Sequence, residues 1–458
     1  MELEYLVAEI GSTTTVVNAF VKCSEKKLRF IGQGQAATTV LEGDVNIGLE
    51  NAILNLKSVL KCDEINYKEM LATSSAAGGL KMTVHGLVYD MTVKAAREAA
   101  LGAGANLHFI TAGKISRFDL KKIVDVKPNI ILIAGGVDFG EKETALYNAE
   151  KIAELPIEVP VLYAGNIACQ DEVKFIFEEA GKGHLIDVTD NVYPKIDELN
   201  VEPVRKKIQK IFEENITHAP GMNSIRKMVK GHIMPTPGAV MEATKVLYEK
   251  IGDIVTIDVG GATTDVSSVT EGSEAINLIL QEPEPISKRT VEGDLGCYVS
   301  KKNVIELLGI EKMAKALDIS VEEASRVLEE LPPIPKTELQ LRVAEYITKE
   351  AVTTSLYRHA GNVKITFASG SKRIAMGKDL TMVRYIVGTG GALTRLPKRI
   401  EILESILKSN HGEKLLPTDS AKILIDNHYI MASIGVLSLN DKEIALNLLE
   451  ESFNGIAL

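Results

Sequence analysis

The 458-residue chain contains no tryptophan, and aromatic residues make up only 5% of it. Proteins that bind single-stranded nucleic acid stack the bases on aromatic side chains, and surfaces that bind polyanions are basic. With a net charge of −10 and a sequence pI near 5.5, the chain has neither feature. The composition therefore argues against nucleic acid and anionic membrane surfaces as partners.

Cysteine and histidine are also scarce. The four cysteines, Cys23, Cys62, Cys169 and Cys297, lie far apart, with no Cys-x-x-Cys spacing. The eight histidines form no His-x-x-x-His or His-Glu-x-x-His pattern. Zinc and iron–sulfur sites need several such ligands, usually at short spacings. We therefore expect isolated, reduced thiols and no zinc hydrolase chemistry.

Long apolar stretches are missing as well. No apolar run approaches the roughly 20 residues of a membrane-spanning helix. The first residues, Met-Glu-Leu-Glu, lack the basic start and the apolar stretch of a signal peptide. We expect a cytoplasmic protein. A length of 458 residues exceeds a single hydrophobic core, which predicts two or three domains.

The most informative stretch is 253–270, where two runs rich in Val, Ile and Thr flank a Gly-Gly turn. This pattern is typical of a β-hairpin. The turn region carries glycines, threonines and flanking carboxylates: Asp258, Gly260, Gly261, Thr263, Thr264 and Asp265. Paired glycines let backbone N–H groups approach an anion, and carboxylates can hold Mg²⁺ beside phosphate oxygens. The hairpin is a candidate phosphate-binding site, although turn chemistry alone also explains its glycines.

The N-terminus repeats this pattern over 6–17. Glu9 aligns with Asp258, and Gly11 aligns with Gly260. The small and hydroxyl residues that follow Gly11 are Ser12, Thr13 and Thr14. Two equivalent hairpins about half a chain apart indicate two related halves. Facing each other across a cleft, they would hold the β- and γ-phosphates of one nucleotide.

This pair of hairpins resembles the two phosphate loops of the actin, sugar kinase and Hsp70 superfamily of ATPases. In that superfamily a third, glycine-rich strand-to-helix loop holds adenosine late in the chain. The segment 382–395 matches it, with Gly388, Gly390 and Gly391 between a predicted strand and a predicted helix. The resemblance implies an α/β, two-domain actin-like ATPase (ribonuclease H-like) fold that binds ATP or ADP.

At finer grain the chain is similar to the accessory proteins of coenzyme B12-dependent glutamate mutase, the MutL/GlmL type. The strings that carry this similarity are SSAAGGL at 74–80, IAGG at 133–136, PTPGAV at 235–240, RTVEGDLG at 289–296 and GKDLT at 377–381. The resemblance implies an ATP-binding and ATP-hydrolysing chaperone or reactivating factor. Its partners would be the subunits of an adenosylcobalamin-dependent mutase, and a homodimer stays open. A small-molecule kinase of the same fold and a non-catalytic actin-like scaffold are the alternatives.

The resemblance also implies roles for the candidate residues. Backbone N–H groups and hydroxyls of both hairpins would bind phosphate, and Glu9 and Asp258 would hold the water shell of Mg²⁺. Asp258 or Asp265 would orient the attacking water, with no basis for choosing between them, and Glu9 is the third catalytic candidate. The superfamily usually has Asp where this chain has Glu9. An extra methylene moves the carboxylate by about 1 Å, and misplacement of that order can cost about a hundredfold in rate. We therefore expect slow hydrolysis or a mainly binding role.

The expected organisation is domain I over 1–250 and domain II over 251–458. Short apolar strands alternate with helical patterns between 106 and 187, which predicts an inserted parallel β/α unit at about 105–190. We interpret this unit as a platform for a partner protein. A helical insertion is expected at about 298–360 in domain II. Just before it, Glu292 and Asp294 are interpreted as solvated turn residues; the alternative is that their loop borders nucleotide or the mutase.

Overall fold

The computed structural model describes residues 1–11, 14–24, 27–39, 44–75, 80–215, 226, 229, 233–366, 372–408, 412 and 414–454. The chain divides into two compact units, Met1–Met241 and Glu242–Leu458. We describe each unit by itself.

Unit 1 opens with a five-stranded mixed sheet. Its strands are β1 (Glu2–Ile10), β2 (Thr14–Ser24), β3 (Lys27–Ala37), β4 (Asn66–Ser74) and β10 (Ile233–Pro235). They lie in the order β10-β4-β1-β2-β3, with β2 antiparallel to β1 and β3, and with β1, β4 and β10 parallel. Helix α1 (Val45–Leu60) begins after Asp44, whose side chain accepts a hydrogen bond from the N–H of Asn46.

The chain between β4 and β10 forms a second, parallel sheet. Its strands are β5 (Leu80–Gly86), β6 (Ala105–Ala112), β7 (Ile130–Ile133), β8 (Val161–Tyr163) and β9 (Ile186–Val188). They lie in the order β6-β5-β7-β8-β9, which is the doubly wound order 2-1-3-4-5. The helices of this part are α2 (Lys94–Gly102), α3 (Arg117–Val126), α4 (Glu143–Ala153), α5 (Gln170–Glu179) and α6 (Val201–Asn215).

The parallel sheet extends upstream of the start expected at about 105, because β5 lies between β6 and β7. Sequence analysis missed this strand since it carries Lys81, Thr83 and His85 among its apolar residues. Thr83 and His85 are nevertheless fully buried, and both ring nitrogens of His85 bond to threonine hydroxyls, those of Thr83 and Thr111. Buried apolar clusters on both faces cover the sheet, as parallel sheets require.

Unit 2 contains a five-stranded sheet with the same topology as the first sheet of unit 1. Its strands are β11 (Ile254–Val259), β12 (Thr264–Val269), β13 (Ser287–Glu292), β16 (Tyr385–Thr389) and β17 (Lys422–Ile425). They lie in the order β13-β12-β11-β16-β17. Strand β12 is antiparallel to both β11 and β13, and β11, β16 and β17 are parallel to one another. This duplicated order confirms the predicted two-domain, actin-like α/β fold.

The remaining elements of the chain are mostly helices. They are α7 (Thr236–Ile251), α8 (Glu274–Asn277), α9 (Lys301–Leu308), α10 (Ile310–Leu317), α11 (Val321–Glu330), α12 (Glu338–His359), the hairpin strands β14 (Asn362–Thr366) and β15 (Lys372–Met376), and then α13 (Gly390–Arg395), α14 (Arg399–Leu407), α15 (Met431–Leu437) and α16 (Lys442–Ser452). In chain order, helices α9 to α12 lie between β13 and β16, within the range 298–360 of the predicted helical insertion. None of the helices in the described ranges has the length and apolar character to cross a membrane.

Candidate functional site

Both hairpins close with the same four-residue turn. The N–H of Gly260 donates to the carbonyl of Thr263 at 2.9 Å, and the N–H of Gly11 donates to the carbonyl of Thr14 at 3.0 Å. The alignment of the two sequence repeats thus corresponds to an equivalence of backbone hydrogen bonds. Two further predicted phosphate-binding residues, Ser12 and Thr13, lie outside the described residues.

The turn at 260–263 is held from one side by the segment that follows β13. The carbonyls of Gly260, Gly261 and Ala262 accept hydrogen bonds from the N–H of Cys297 (3.1 Å), the N–H of Tyr298 (2.9 Å) and the hydroxyl of Ser300 (2.7 Å). In the part of the chain that the structure describes, no group accepts a hydrogen bond from the N–H of Gly261, Ala262 or Thr263. With its carbonyls engaged and these amides open, the turn has the polarity of an anion-binding backbone loop.

Asp258 and Asp265 face each other across β11 and β12 as direct cross-strand neighbours. Both oxygens of Asp265 are engaged: Arg289 donates to Oδ1 at 2.5 Å and the Thr263 hydroxyl donates to Oδ2 at 3.2 Å. The Arg289 side chain is fully buried on β13. Because a guanidinium and a carboxylate form a strong charge-assisted hydrogen bond, Asp265 is held in one position.

Asp258 is in a different state. Its side chain is half-buried, and among the described residues no hydrogen-bond donor contacts its carboxylate. Burial raises the pKa of Asp258 to about 7, with further increases from the charges of Asp265 and Asp426 and an opposing decrease from Arg289. A carboxylate that titrates near neutral pH can accept a proton from water. The structure therefore separates the two acids: Asp265 is engaged on both oxygens, and Asp258 keeps a carboxylate that no described donor contacts.

Asp426 is a third carboxylate of this cluster, and sequence analysis did not identify it. It follows β17 directly and is fully buried. Its Oδ2 accepts hydrogen bonds from the hydroxyl of Thr389 at 2.9 Å and from the N–H groups of Ile430 and Met431 at 3.0 and 2.9 Å. It thus connects the end of β16 to the beginning of α15. The only signal in the sequence is an acid directly after an apolar strand, which is too common to be specific.

The three glycines of the predicted adenosine loop have different surroundings. Gly390 has a φ of 83°, and a Cβ there would lie 2.3 Å from Oδ1 of Asp258. Only glycine therefore lets the junction of β16 and α13 lie against this carboxylate. Gly388 lies inside β16, where a Cβ would be 2.8 Å from the Leu403 side chain, so core packing accounts for it. Gly391 is exposed, with open space beside it.

The first hairpin repeats the turn of the second but not its pair of acids. Glu9 is 5% exposed, and its cross-strand neighbour is Val16. Its Oε1 accepts a hydrogen bond from Asn18 at 3.1 Å, and Asn18 in turn accepts one from Gln33 at 2.8 Å. The Glu9 carboxylate thus belongs to a buried polar chain on the sheet. Its expected metal-binding and catalytic roles stay predictions.

The donor set around Asp258 determines which metal could bind there. Within the described ranges, no three His, Cys, Asp or Glu side chains are grouped so that they could ligate a metal together. Mg²⁺ needs no such group, because it keeps several waters and is usually bound by one or two carboxylates together with substrate phosphates. Asp258 fits this mode of binding, whereas Asp265 is already bonded to Arg289 and Thr263.

The loop after β13 is fastened to the helical insertion. Arg358 of α12 lies 2.6 Å from Oε2 of Glu292 and 3.0 Å from Oδ1 of Asp294. Burial raises the pKa of Glu292, and the bond to Arg358 opposes this increase. Both acids bind the same guanidinium, with side chains that are 13% exposed for Glu292 and 40% exposed for Asp294, and the expectation that this loop borders nucleotide or the mutase stays a prediction. Through this loop, the carbonyl side of the turn at 260–263 is connected to α12.

Comparisons with known proteins cover the whole chain. The family model described as MutL protein matches residues 5–453. Protein MutL of Clostridium tetanomorphum is 36% identical, over 96% of this chain and 98% of that protein. Among solved structures, a nucleotide-free diol dehydratase-reactivating factor is 10% identical with a TM-score of 0.38, over 95% of this chain and 99% of its own. A nucleotide-free acetone carboxylase is 12% identical with a TM-score of 0.39, over 95% of this chain and 70% of its own.

Proposed function

Because the chain belongs to the MutL protein family, we propose that it is an ATP-binding accessory protein, a chaperone or reactivating factor, of an adenosylcobalamin-dependent glutamate mutase or a related aminomutase. Nucleotide binding, the first part of this proposal, rests on the turn at 260–263. Its three open N–H groups lie at the same end of the hairpin as Asp258 and Asp265. Backbone amides and acids at one end of a hairpin suit a phosphate chain with a bound cation.

Phosphate binding in unit 2 rests on the backbone of this turn. The N–H groups of Gly261, Ala262 and Thr263 would donate to phosphate oxygens, while the segment 297–300 holds the turn in shape through its carbonyls. Because these donors come from a fixed loop, little reorganisation is needed when the anion binds. The equivalent turn of unit 1 extends the proposal to Gly11 and Thr14.

Hydrolysis would use Asp258 as the group that orients the attacking water and accepts its proton. Asp265, fixed by Arg289 and Thr263, would keep the neighbouring negative charge that favours protonation of Asp258. Mg²⁺ bound with the nucleotide would neutralise charge on the phosphate oxygens. The Glu9 carboxylate, bonded to Asn18, is less free to assist, which supports slow hydrolysis.

The link to a mutase rests on the family. Adenosylcobalamin enzymes become inactive when the radical cofactor is lost, so a protein that binds the mutase in one nucleotide state and releases it in another could reset the enzyme. Such coupling requires only that the mutase and the nucleotide each favour one of two conformations. The proposed partner is therefore recognised in a nucleotide-dependent manner.

Isothermal titration of ATP and ADP with Mg²⁺ tests the nucleotide site. We expect binding by the wild type and at least a tenfold weaker affinity for Asp258→Ala, because the acid beside the phosphates is lost. Asp253→Ala is the matched control, since Asp253 directly precedes β11, at the opposite end of this strand from Asp258. The absence of binding by the wild type would refute the proposal. Gel filtration with purified mutase subunits, with and without nucleotide, tests the partner.

A further inference from the structure

Three loops at one edge of the parallel sheet of unit 1 expose apolar side chains. The carboxyl ends of β7, β8 and β9 meet at this edge because the strands are parallel. The loop after each strand carries one such side chain: Phe139, which is 80% exposed, Ile167, which is 47% exposed, and Ile196, which is 70% exposed. We name these three residues the apolar edge.

Hydrogen bonds join the three loops into one unit around Asp138. The N–H of Asp138 donates to the carbonyl of Pro194 at 2.9 Å. Its Oδ1 accepts from the N–H of Ile167 and from the amide of Asn191, both at 2.9 Å. The apolar edge is thus a fixed arrangement rather than three independent loop tips. Loops that are already fixed lose little conformational freedom on binding, which favours recognition.

Phe139 is held in a backbone conformation that bulky residues rarely adopt. Its φ is 61°, in the left-handed region. The fully buried Asn166 holds it there, since Oδ1 of Asn166 accepts the N–H of Phe139 at 2.9 Å. Such strain persists only where neighbouring contacts enforce it, and it concentrates at functional positions. The Phe139 side chain is thus kept in solvent by an unfavourable backbone conformation.

The charges around the apolar edge have mainly one sign. The exposed charged residues of these loops and of the helix starts beside them are seven acids and two lysines: Glu141, Glu143, Asp171, Glu172, Asp190, Asp197 and Glu198, with Lys142 and Lys195. Lys195 is already paired with Glu198 at 3.1 Å. A partner with basic residues around an apolar pocket would complement this surface.

We propose that the apolar edge is the docking site for a subunit of the mutase, one that offers an apolar pocket with a basic rim. This inference rests on the function proposed above. A second copy of this chain fits less well, because it would bring two acidic rims together. The small area that the apolar edge could bury also favours a transient complex. An aromatic side chain buries about 150–250 Å², whereas permanent dimers bury about 2,000 Å² or more.

The test compares Phe139→Gly with Leu278→Ser in binding to the purified mutase subunits. Leu278 lies in unit 2 and is 79% exposed, so its side chain is exposed to the same degree as that of Phe139. We expect Phe139→Gly to weaken binding at least about tenfold and Leu278→Ser to leave it unchanged. Glycine accepts a positive φ without strain, so the thermal midpoint of Phe139→Gly should not fall. Glu198→Lys should slow association, most clearly at low salt.

Each outcome separates the docking site from the wider function. Wild-type affinity in Phe139→Gly, with ATP binding intact, would overturn the docking site and leave the proposed function standing. A wild type that binds ATP but no mutase subunit in any nucleotide state would overturn the mutase function, and the docking site with it. Light scattering that shows wild-type dimers and monomeric Phe139→Gly would instead make the edge an interface between copies, which also contradicts the proposal.

Discussion

Replacing Asp258 by Asn should stabilise the nucleotide-free protein at alkaline pH. The folded-state pKa of Asp258 is raised from 3.8 to about 7, chiefly by burial and then by Asp265. A raised carboxyl pKa means that the folded state binds the proton more tightly than the unfolded state. The associated stability is complete below pH 3.8 and is lost as the pH rises through about 7. Asn resembles the protonated acid and cannot ionise, so Asp258→Asn should escape this loss.

The size of the effect follows from the shift. From 3.8 to about 7 is roughly three pKa units, and each unit corresponds to about 1.4 kcal/mol, which gives an upper limit of about 4 kcal/mol. For a unit of about 200 residues, 1 kcal/mol moves Tm by about 2–4 °C. At pH 8 the Tm of Asp258→Asn should therefore exceed that of the wild type by at most about 8–16 °C. At pH 4 the two should agree.

Thermal unfolding followed by circular dichroism between pH 4 and 8 measures this difference. No nucleotide is added, so that ligand binding does not contribute to Tm. Asp253→Asn, at the start of the same strand, controls for the loss of a charge. A Tm difference between Asp258→Asn and the wild type that does not change with pH would show that ionisation of Asp258 does not destabilise the folded protein, and would refute this prediction.

Three further outcomes follow from the same site. The kcat/KM of ATP hydrolysis, which reports the nucleotide-free protein, should rise with pH around an apparent pKa near 7 if Asp258 accepts the proton, whereas a flat kcat/KM profile between pH 6 and 8 would exclude that role. Gly390→Ala should lower Tm and ATP affinity, because a Cβ would meet Oδ1 of Asp258 at 2.3 Å, while Gly391→Ala, with open space, should match the wild type in Tm. Arg289→Met should cost about 3–5 kcal/mol in urea unfolding by leaving Asp265 as a buried unpaired charge, and Arg289→Met/Asp265→Leu should recover much of it; equal losses in both would contradict the pairing.

Local sequence was enough to find the hairpins and their equivalence. A β-hairpin needs two short β-prone runs and a turn, all within about 20 residues, so its signal is contained in one stretch. The repeat of acid, glycine and threonine then identified Gly11 and Gly260 as corresponding positions, and both make the same turn hydrogen bond. The strand-to-helix junction at Gly390 was found in the same way.

Residues that become neighbours through sheet pairing could not be found in this way. Arg289 reaches Asp265 because β13 pairs with β12, and Asp426 joins the cluster because β17 lies two strands from β11. Strand β5 enters the parallel sheet between β6 and β7 although its sequence mixes polar and apolar residues. Each of these placements depends on contacts between distant segments.

By itself, the sequence determined the family, the duplicated α/β fold and the turns that would bind phosphate, because these depend on residue order over short stretches. Only the tertiary structure distinguished Asp258 from Asp265. The two acids are equivalent in the sequence pattern, but one is bonded to Arg289 and Thr263 while the other lies half-buried against Gly390. Proton affinity depends on burial and on the charges within a few ångströms, and those are decided by the packing of strands that lie far apart in the chain.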